Sequence, residues 1–324
     1  MVVGGKDMAK QNSKTAVAPI RPLKPKIDRK LWRKVWAHRY IYLFLLPVVA
    51  YYVIFKYVPM YGIVMAFQNY NVFKGVFDSE FVGFAIFQKV FRSPMLWNSI
   101  RNTLVLNTLT LLVNFPLTIL LSLMLNEIVS DKFKKLCQSV LYLPHFISWV
   151  VVAGIATNMF SQRDGTINFL LHTNIPFLSD KAWWIFTYVV CNVWKEIGWG
   201  TIIYFAALTG VDESLYEAAY LDGASKLQRL VYITLPSIKP VIVTMLILQI
   251  SKMMSIGLDA PLLLQNAKVL DVGEVISTYV YRLGILNAKY SESTAIGLFQ
   301  SVVNIVILLL ANKVAERMGE EGVS

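Results

Sequence analysis

Two adjacent charges, Lys195 and Glu196, interrupt an otherwise apolar run from Trp183 to Leu208, with Asn192 one helical turn earlier. A second apolar run, Pro240 to about Leu258, carries Gln249 and Lys252. An ionisable group in hydrocarbon is costly, so such groups mark either a solute path or a buried pair. Neighbouring helical positions point about 100° apart, so Lys195 and Glu196 do not neutralise each other across one face. Each needs a partner elsewhere, and Lys252 is a candidate to face Glu196. A structural bridge and a role in binding an anionic solute both stand open.

Other chemistries find no residues to carry them. The three histidines, His38, His145 and His172, are not in an H-E-x-x-H arrangement. Cys137 and Cys191 lie in separate apolar stretches, which suits packing rather than a disulfide framework or a metal site. A nucleotide-binding loop of the G-x-x-x-x-G-K-[ST] type is absent, since the only Gly-Lys pair, Gly5-Lys6, precedes Asp7. Neither cofactor nor metal is expected on this chain.

The richest polar segment is Asp212 to Pro240, DESLYEAAYLDGASKLQRLVYITLPSIKP. It reads as two short helices around a sharp turn. Asp212 caps the first, whose face carries Leu215, Ala218 and Ala219. Gly223 ends it, where the chain must turn with positive φ. Ser225, with Gln228 three residues on, forms a capping box for the second helix. Leu227, Leu230 and Val231 should form its buried face, and Pro236 should stop it. A small-residue face beside a glycine turn lets another protein come close to the backbone, with Glu217 and Asp222 as charged anchors. A well-capped connector is the plainer alternative.

The elements that hold these residues are membrane helices. The 324-residue chain is 56% hydrophobic and 16% charged, with a mean hydropathy of +0.53. Soluble domains run at about 45 to 50% apolar and about a quarter charged, so an ordinary soluble enzyme is excluded. Disorder and collagen-like repetition fail on the same numbers. Six apolar runs have the length of about 20 residues that a bilayer needs: about Tyr40 to Tyr57, Thr103 to Leu125, Leu136 to Phe160, Trp183 to Leu208, Pro240 to about Leu258 and Ala295 to Asn312. With the N-terminus inside, the inner segments hold 19 Lys and Arg in 91 residues and the outer ones 10 in 107, so both termini should be cytoplasmic.

Residues 1 to 39 form a basic tail in which Leu31, Trp32, Val35 and Trp36 give an interfacial helix an apolar face for lipid headgroups, a better account of the basic cluster than nucleic acid. With no apolar run in these polar, basic residues, no signal peptide is expected among them. Residues 40 to 315 form the transmembrane domain, with the loop at 212 to 240, and 316 to 324 a short cytoplasmic tail. Between Met60 and Trp97 the aromatics are dense, with Phe84, Phe87 and Phe91 on one helical face. An outer interface belt and stacking on sugar rings both fit them.

The loop spacing adds a resemblance. Glu217-Ala218-Ala219, three residues, Gly223, nine residues, Ile233, one residue, Leu235-Pro236 is similar to the EAA loop of permease subunits in binding-protein-dependent ABC importers. RNTLVLNTL, LYLPHFISWVV, WKEIGWGTIIYFAAL and YSESTAIGLFQSVVN resemble its sugar and polysaccharide branch, bacterial alginate importer permeases among them. The resemblance implies an all-α integral membrane protein of about six helices with the type I ABC importer permease architecture. It implies that Glu217, Ala218, Ala219, Asp222, Gly223, Ala224, Leu235 and Pro236 couple to an ATPase, with ATP and Mg bound there and not here. A second homologous permease, two ATPase subunits, an external solute-binding protein and a saccharide, possibly a uronate, complete the implied system. Asn192, Lys195, Glu196, Gln249 and Lys252 would then line the path. An ion-coupled saccharide carrier is the competing reading, and it would call for inverted repeats that the sequence does not display.

Overall fold

The computed structural model describes residues 36–317 and residue 319. The interfacial helix expected in the tail lies almost wholly outside the described residues. In chain order the main helices are α1 (Arg39–Phe67), α2 (Pro94–Asn126), α3 (Asp131–Phe146), α4 (Trp149–Phe160), α5 (Lys181–Thr209), α6 (Glu213–Leu221), α7 (Lys226–Ile250) and α8 (Tyr290–Arg317). One two-stranded antiparallel ribbon, Gln68–Asn69 with Glu80–Phe81, is the only sheet among the described residues.

Four of these helices, α1, α2, α7 and α8, are long and apolar enough to cross a bilayer. The expected third span is not one helix. α3 and α4 meet at a 100° bend, so together they make a broken span or a re-entrant loop. The break comes just after Pro144 near the end of α3, where extended backbone at Ile147 and Ser148 turns the chain into α4. α5 has 29 residues, but Asn192, Lys195 and Glu196 lower the hydropathy of its middle. The six expected runs are therefore four uninterrupted apolar helices, one broken pair and one polar-centred helix.

The fifth expected run also shifts. Helix α7 starts at Lys226 and ends at Ile250, so the second loop helix and the span are continuous, and Pro236 does not stop it. A π-helical turn at Leu230–Thr234 widens the helix before Pro236. Two hydroxyls bond back one turn along the helix, as Ser and Thr commonly do: Ser237 Oγ donates to the Ile233 carbonyl at 2.7 Å and Thr244 Oγ to that of Pro240 at 2.9 Å. Beyond Ile250, the turn to Ser255 is held by amide side chains. Asn107 Nδ2 donates to the Met253 carbonyl at 2.7 Å, Gln300 Nε2 to that of Met254 at 2.6 Å, and Asn304 Nδ2 to Ser255 Oγ at 2.8 Å. Hydrogen bonding across to this turn thus accounts for Asn107 and Asn304, whereas Asn114 Oδ1 meets Thr118 Oγ1 of its own helix at 3.5 Å.

The described chain divides into two compact units, one up to Met60 and one from Tyr61 onward. In the first, no residue from Arg39 to Met60 is buried. In the second, one apolar cluster joins α4 and α5 to the segment around Ala260 to Val275. Another joins the Ala85–Phe91 helix, the start of α2, Ile276 to Leu283 and α8. The aromatic outer segment is split between roles. Phe91 packs edge-on to Phe299 at 5.0 Å, whereas Phe73 and Phe77 are 99% and 84% exposed.

Candidate functional site

The loop between α5 and α7 is built by local capping. Asp212 accepts from the Ser214 N–H at 2.9 Å and starts α6. That backbone hydrogen bond holds its carboxyl below the usual carboxylate range. At the other end Gly223, with φ +74°, donates to the Tyr220 carbonyl at 3.1 Å, and Ala224 to that of Ala219 at 2.9 Å. This pair of bonds is a Schellman cap, which needs a left-handed residue at position 223. Ser225 then accepts from the Gln228 N–H, while Gln228 Oε1 accepts from the Ser225 N–H at 2.7 Å, completing the expected capping box. Tyr216 Oη lies 2.9 Å from Thr234 Oγ1 and ties the two helices together, a link that no sequence pattern announced.

Within this frame Glu217, Ala218, Asp222 and Gly223 are exposed, and Ala219 and Ala224 are half-buried. Leu235 is half-buried and Pro236 exposed on the turn that follows. The expected buried face of Leu227, Leu230 and Val231 is corrected: Leu227 is 69% and Val231 44% exposed, and only Leu230 is half-buried. With Leu221 86% and Tyr232 76% exposed, the loop presents an apolar surface flanked by carboxylates. Among the described residues no other element covers this surface, which is the form of a docking knob.

The polar residues of the spans fall into separate places. Lys195 is buried, 6% exposed, and its Nζ donates to the carbonyls of His145 at 2.5 Å and Ile147 at 2.8 Å, with that of Pro144 at 3.4 Å. It thus caps the C-terminal end of α3 at the bend, where the carbonyls have no helical partner. Glu196 Oε2 meets His145 Nδ1 at 3.0 Å, and the His145 ring stacks on Trp199 at 4.4 Å. Glu196 does not face Lys252, because the bend brings His145 to it first. At Gly198 a Cβ would lie 1.8 Å from the Leu141 carbonyl oxygen, so the backbones of α3 and α5 touch. Asn192 Nδ2 donates within its own helix, to the Tyr188 carbonyl at 2.9 Å. Gln249 is half-buried, and Lys252 is exposed with no ion pair among the described residues. His145 and Gly198 were missed by sequence reasoning; Pro144 followed four residues later by Ser148, a residue type common at helix starts, was the available signal of a break.

A second polar cluster, also unexpected, fastens the segment around Asp271 to Arg282. Asn102 Nδ2 donates to the carbonyls of Asp271 at 2.8 Å and Glu274 at 2.9 Å. Arg282 donates to Glu274 at 2.7 Å. Burial raises the Glu274 carboxyl despite that guanidinium, while the Lys181 ammonium holds the exposed Asp271 below the usual range. Among the described residues no group of His, Cys, Asp and Glu is placed to hold a metal.

Comparison with known proteins agrees with the loop. Residues 114–320 match the family described as "Binding-protein-dependent transport system inner membrane component". The chain is 43% identical to the polygalacturonan/rhamnogalacturonan transport system permease protein YteP of Bacillus subtilis (strain 168), over 91% of this chain and 93% of that protein. It is 41% identical to protein LplB of the same organism, over 88% and 91%. A crystal structure of a bacterial ABC transporter for import of the acidic polysaccharide alginate has a chain 38% identical, covering 89% of this chain and 99% of that one, with a TM-score of 0.81. The alginate transporter in complex with its alginate pentasaccharide-bound periplasmic protein gives 38% identity and a TM-score of 0.82, over 91% and 100%. This chain therefore belongs to the inner membrane components of binding-protein-dependent transport systems, as a permease of the ABC importer type.

Proposed function

We propose that this permease forms half of the pore of an ATP-driven importer for an acidic oligo- or polysaccharide of the uronate class. The observation that carries the coupling is the doubly capped loop, whose exposed apolar and acidic surface has no partner within the described residues. Glu217 to Ala224, with Leu235 and Pro236, seat in a cleft on an ATPase subunit, and ATP and Mg bind there. Closure of two ATPases displaces the loop. Because the second loop helix is continuous with α7, that displacement passes into a span without a flexible joint between them, and a second permease completes the path. Both termini lie in the cytoplasm, and a loaded external binding protein delivers substrate from the other side.

The substrate class rests on the relatives, whose named cargoes, alginate and polygalacturonan, are polyuronates. Within the chain, Lys195 is engaged by backbone carbonyls, so it is Lys252, exposed beside Gln249 and the Asn107-held turn, that answers a substrate carboxylate. The test is ATP hydrolysis by the assembled importer in lipid, with binding protein loaded with uronate or with neutral oligosaccharides. Stimulation by the uronate, reduced by Lys252→Gln, is expected. Activity indifferent to every loaded binding protein, or stimulation by neutral sugars alone, overturns the reading.

A further inference from the structure

A cleft of about 620 Å³ opens where the end of α2 meets the loop. Its apolar lining comes from Leu120, Leu123 and Met124 on α2 and from Leu227 and Leu230 on α7. Its charged lining is Lys226, Arg229 and Glu127, a net single positive charge. Lys226 Nζ is 3.9 Å from Glu127, and both side chains are largely exposed, so the carboxylate holds that ammonium only weakly. Arg229 lies with its guanidinium 5.9 Å from the Tyr220 ring, and its Nε is buried with no hydrogen-bond partner. A buried donor left unpaired is costly, which marks a place for an acceptor.

The order of these groups follows depth. The apolar run of α2 ends at Leu125, and Asn126 and Glu127 follow, so the cleft straddles the level at which hydrocarbon gives way to headgroups. On α2 the apolar wall of Leu120, Leu123 and Met124 precedes Glu127, and on α7 the cations Lys226 and Arg229 stand in the first turn of the helix beside Leu227 and Leu230. Lys132, Lys134 and Lys135 follow a few residues later, in the first turns of α3. An amphiphile with an anionic head and acyl chains has this order of chemistry, and a volume of this size matches a headgroup with the first part of its chains.

We infer that the cleft binds an anionic glycerophospholipid of the cytoplasmic leaflet, with its phosphate on Arg229 and Lys226 and its acyl chains along Leu120, Leu123 and Leu230. The inference rests on the reading above only in placing the loop at the cytoplasmic face. A lipid in this position wedges between α2 and the coupling loop, and so bears on how firmly the loop is held when the ATPase moves it.

The test uses the assembled importer in nanodiscs of phosphatidylglycerol mixed with phosphatidylcholine, with Leu123 replaced by a benzophenone amino acid. Photolysis is expected to give a phospholipid adduct on this peptide, enriched in phosphatidylglycerol. An adduct to a partner subunit, or a lipid adduct without headgroup preference, overturns the inference. As a second reading, native mass spectrometry should show retained phosphatidylglycerol falling about fivefold for each of Lys226→Gln and Arg229→Gln, and little for Arg229→Lys. Unchanged retention in both glutamine variants refutes it. Neither measurement requires transport, so failure of the substrate assignment leaves the lipid result interpretable.

Discussion

Replacing Lys195 by Met tests what the buried ammonium is for. The side chains are of similar length, so the substitution removes the donor with little change in volume. In the native protein Nζ satisfies the carbonyls of His145 and Ile147 at 2.5 and 2.8 Å, in a place that is 6% exposed. Each orphaned buried carbonyl costs about 1 to 3 kcal/mol, giving a gross loss of about 2 to 6 kcal/mol. Relief from burying a cation offsets part of this, so the net expected loss is about 3 kcal/mol, concentrated at the bend. The amides of residues 146 to 150 are the ones to follow, by hydrogen exchange of the assembled importer in lipid. A loss of that size lowers their protection about a hundredfold, since about 1.4 kcal/mol is tenfold. Protection unchanged while transport is lost would mean that Lys195 acts on substrate, and the capping account would be wrong. Unchanged protection with unchanged transport would refute it as well, by showing that the carbonyls find water or another donor.

Gly198→Ala puts a methyl 1.8 Å from the Leu141 carbonyl oxygen and should abolish assembly or lower thermal stability strongly, whereas Gly154→Ala, with open space around it, should be tolerated; size-exclusion and melting profiles compare the two. Gly223→Val forces a β-branched residue to φ +74°, at a cost of about 1 to 2 kcal/mol or more, and should cut copurification of the ATPase while the spans still insert. Ser225→Ala removes half of the capping box, and should lower loop stability by about 1 kcal/mol, read as faster exchange of the Lys226 to Arg229 amides with transport reduced and not lost. For Glu274 the folded protein holds the proton more tightly than the unfolded chain, so this carboxyl's contribution to stability is present below its ordinary value of 4.5 and is lost as pH rises through the raised folded value. Glu274→Gln should therefore flatten the melting temperature against pH between 4.5 and that raised value, and an unaltered profile would show that the Arg282 pair cancels the effect of burial.

The loop was legible because its signals are local. A capping Asp212, a glycine at the left-handed position and a Ser225 to Gln228 box act over three or four residues, and each is present as read. What was misread depends on more than local pattern. Pro236 was expected to end a helix, but it falls in the first turn after a π-helical turn, and the helix runs on through it. Leu227 and Val231 sit on an apolar stripe, yet a stripe says only that a face can be covered, not that this chain covers it. Partner choice among charges was not legible either. Lys195 and Glu196 were recognised as needing partners, but those partners, the α3 carbonyls and His145, appear only once the bend folds α3 against α5.

The break between α3 and α4 also bears on the order in which the membrane protein can be made. Carbonyls at residues 144 to 147 emerge from the ribosome about 50 residues before Lys195, which at about 20 residues per second is a few seconds. During that interval the two half-helices carry exposed backbone that hydrocarbon does not tolerate. They gain a stable place in the bilayer only when α5 arrives with its ammonium. Residues 131 to 209 therefore enter the membrane as one insertion unit, whose last-made helix completes the backbone of its first.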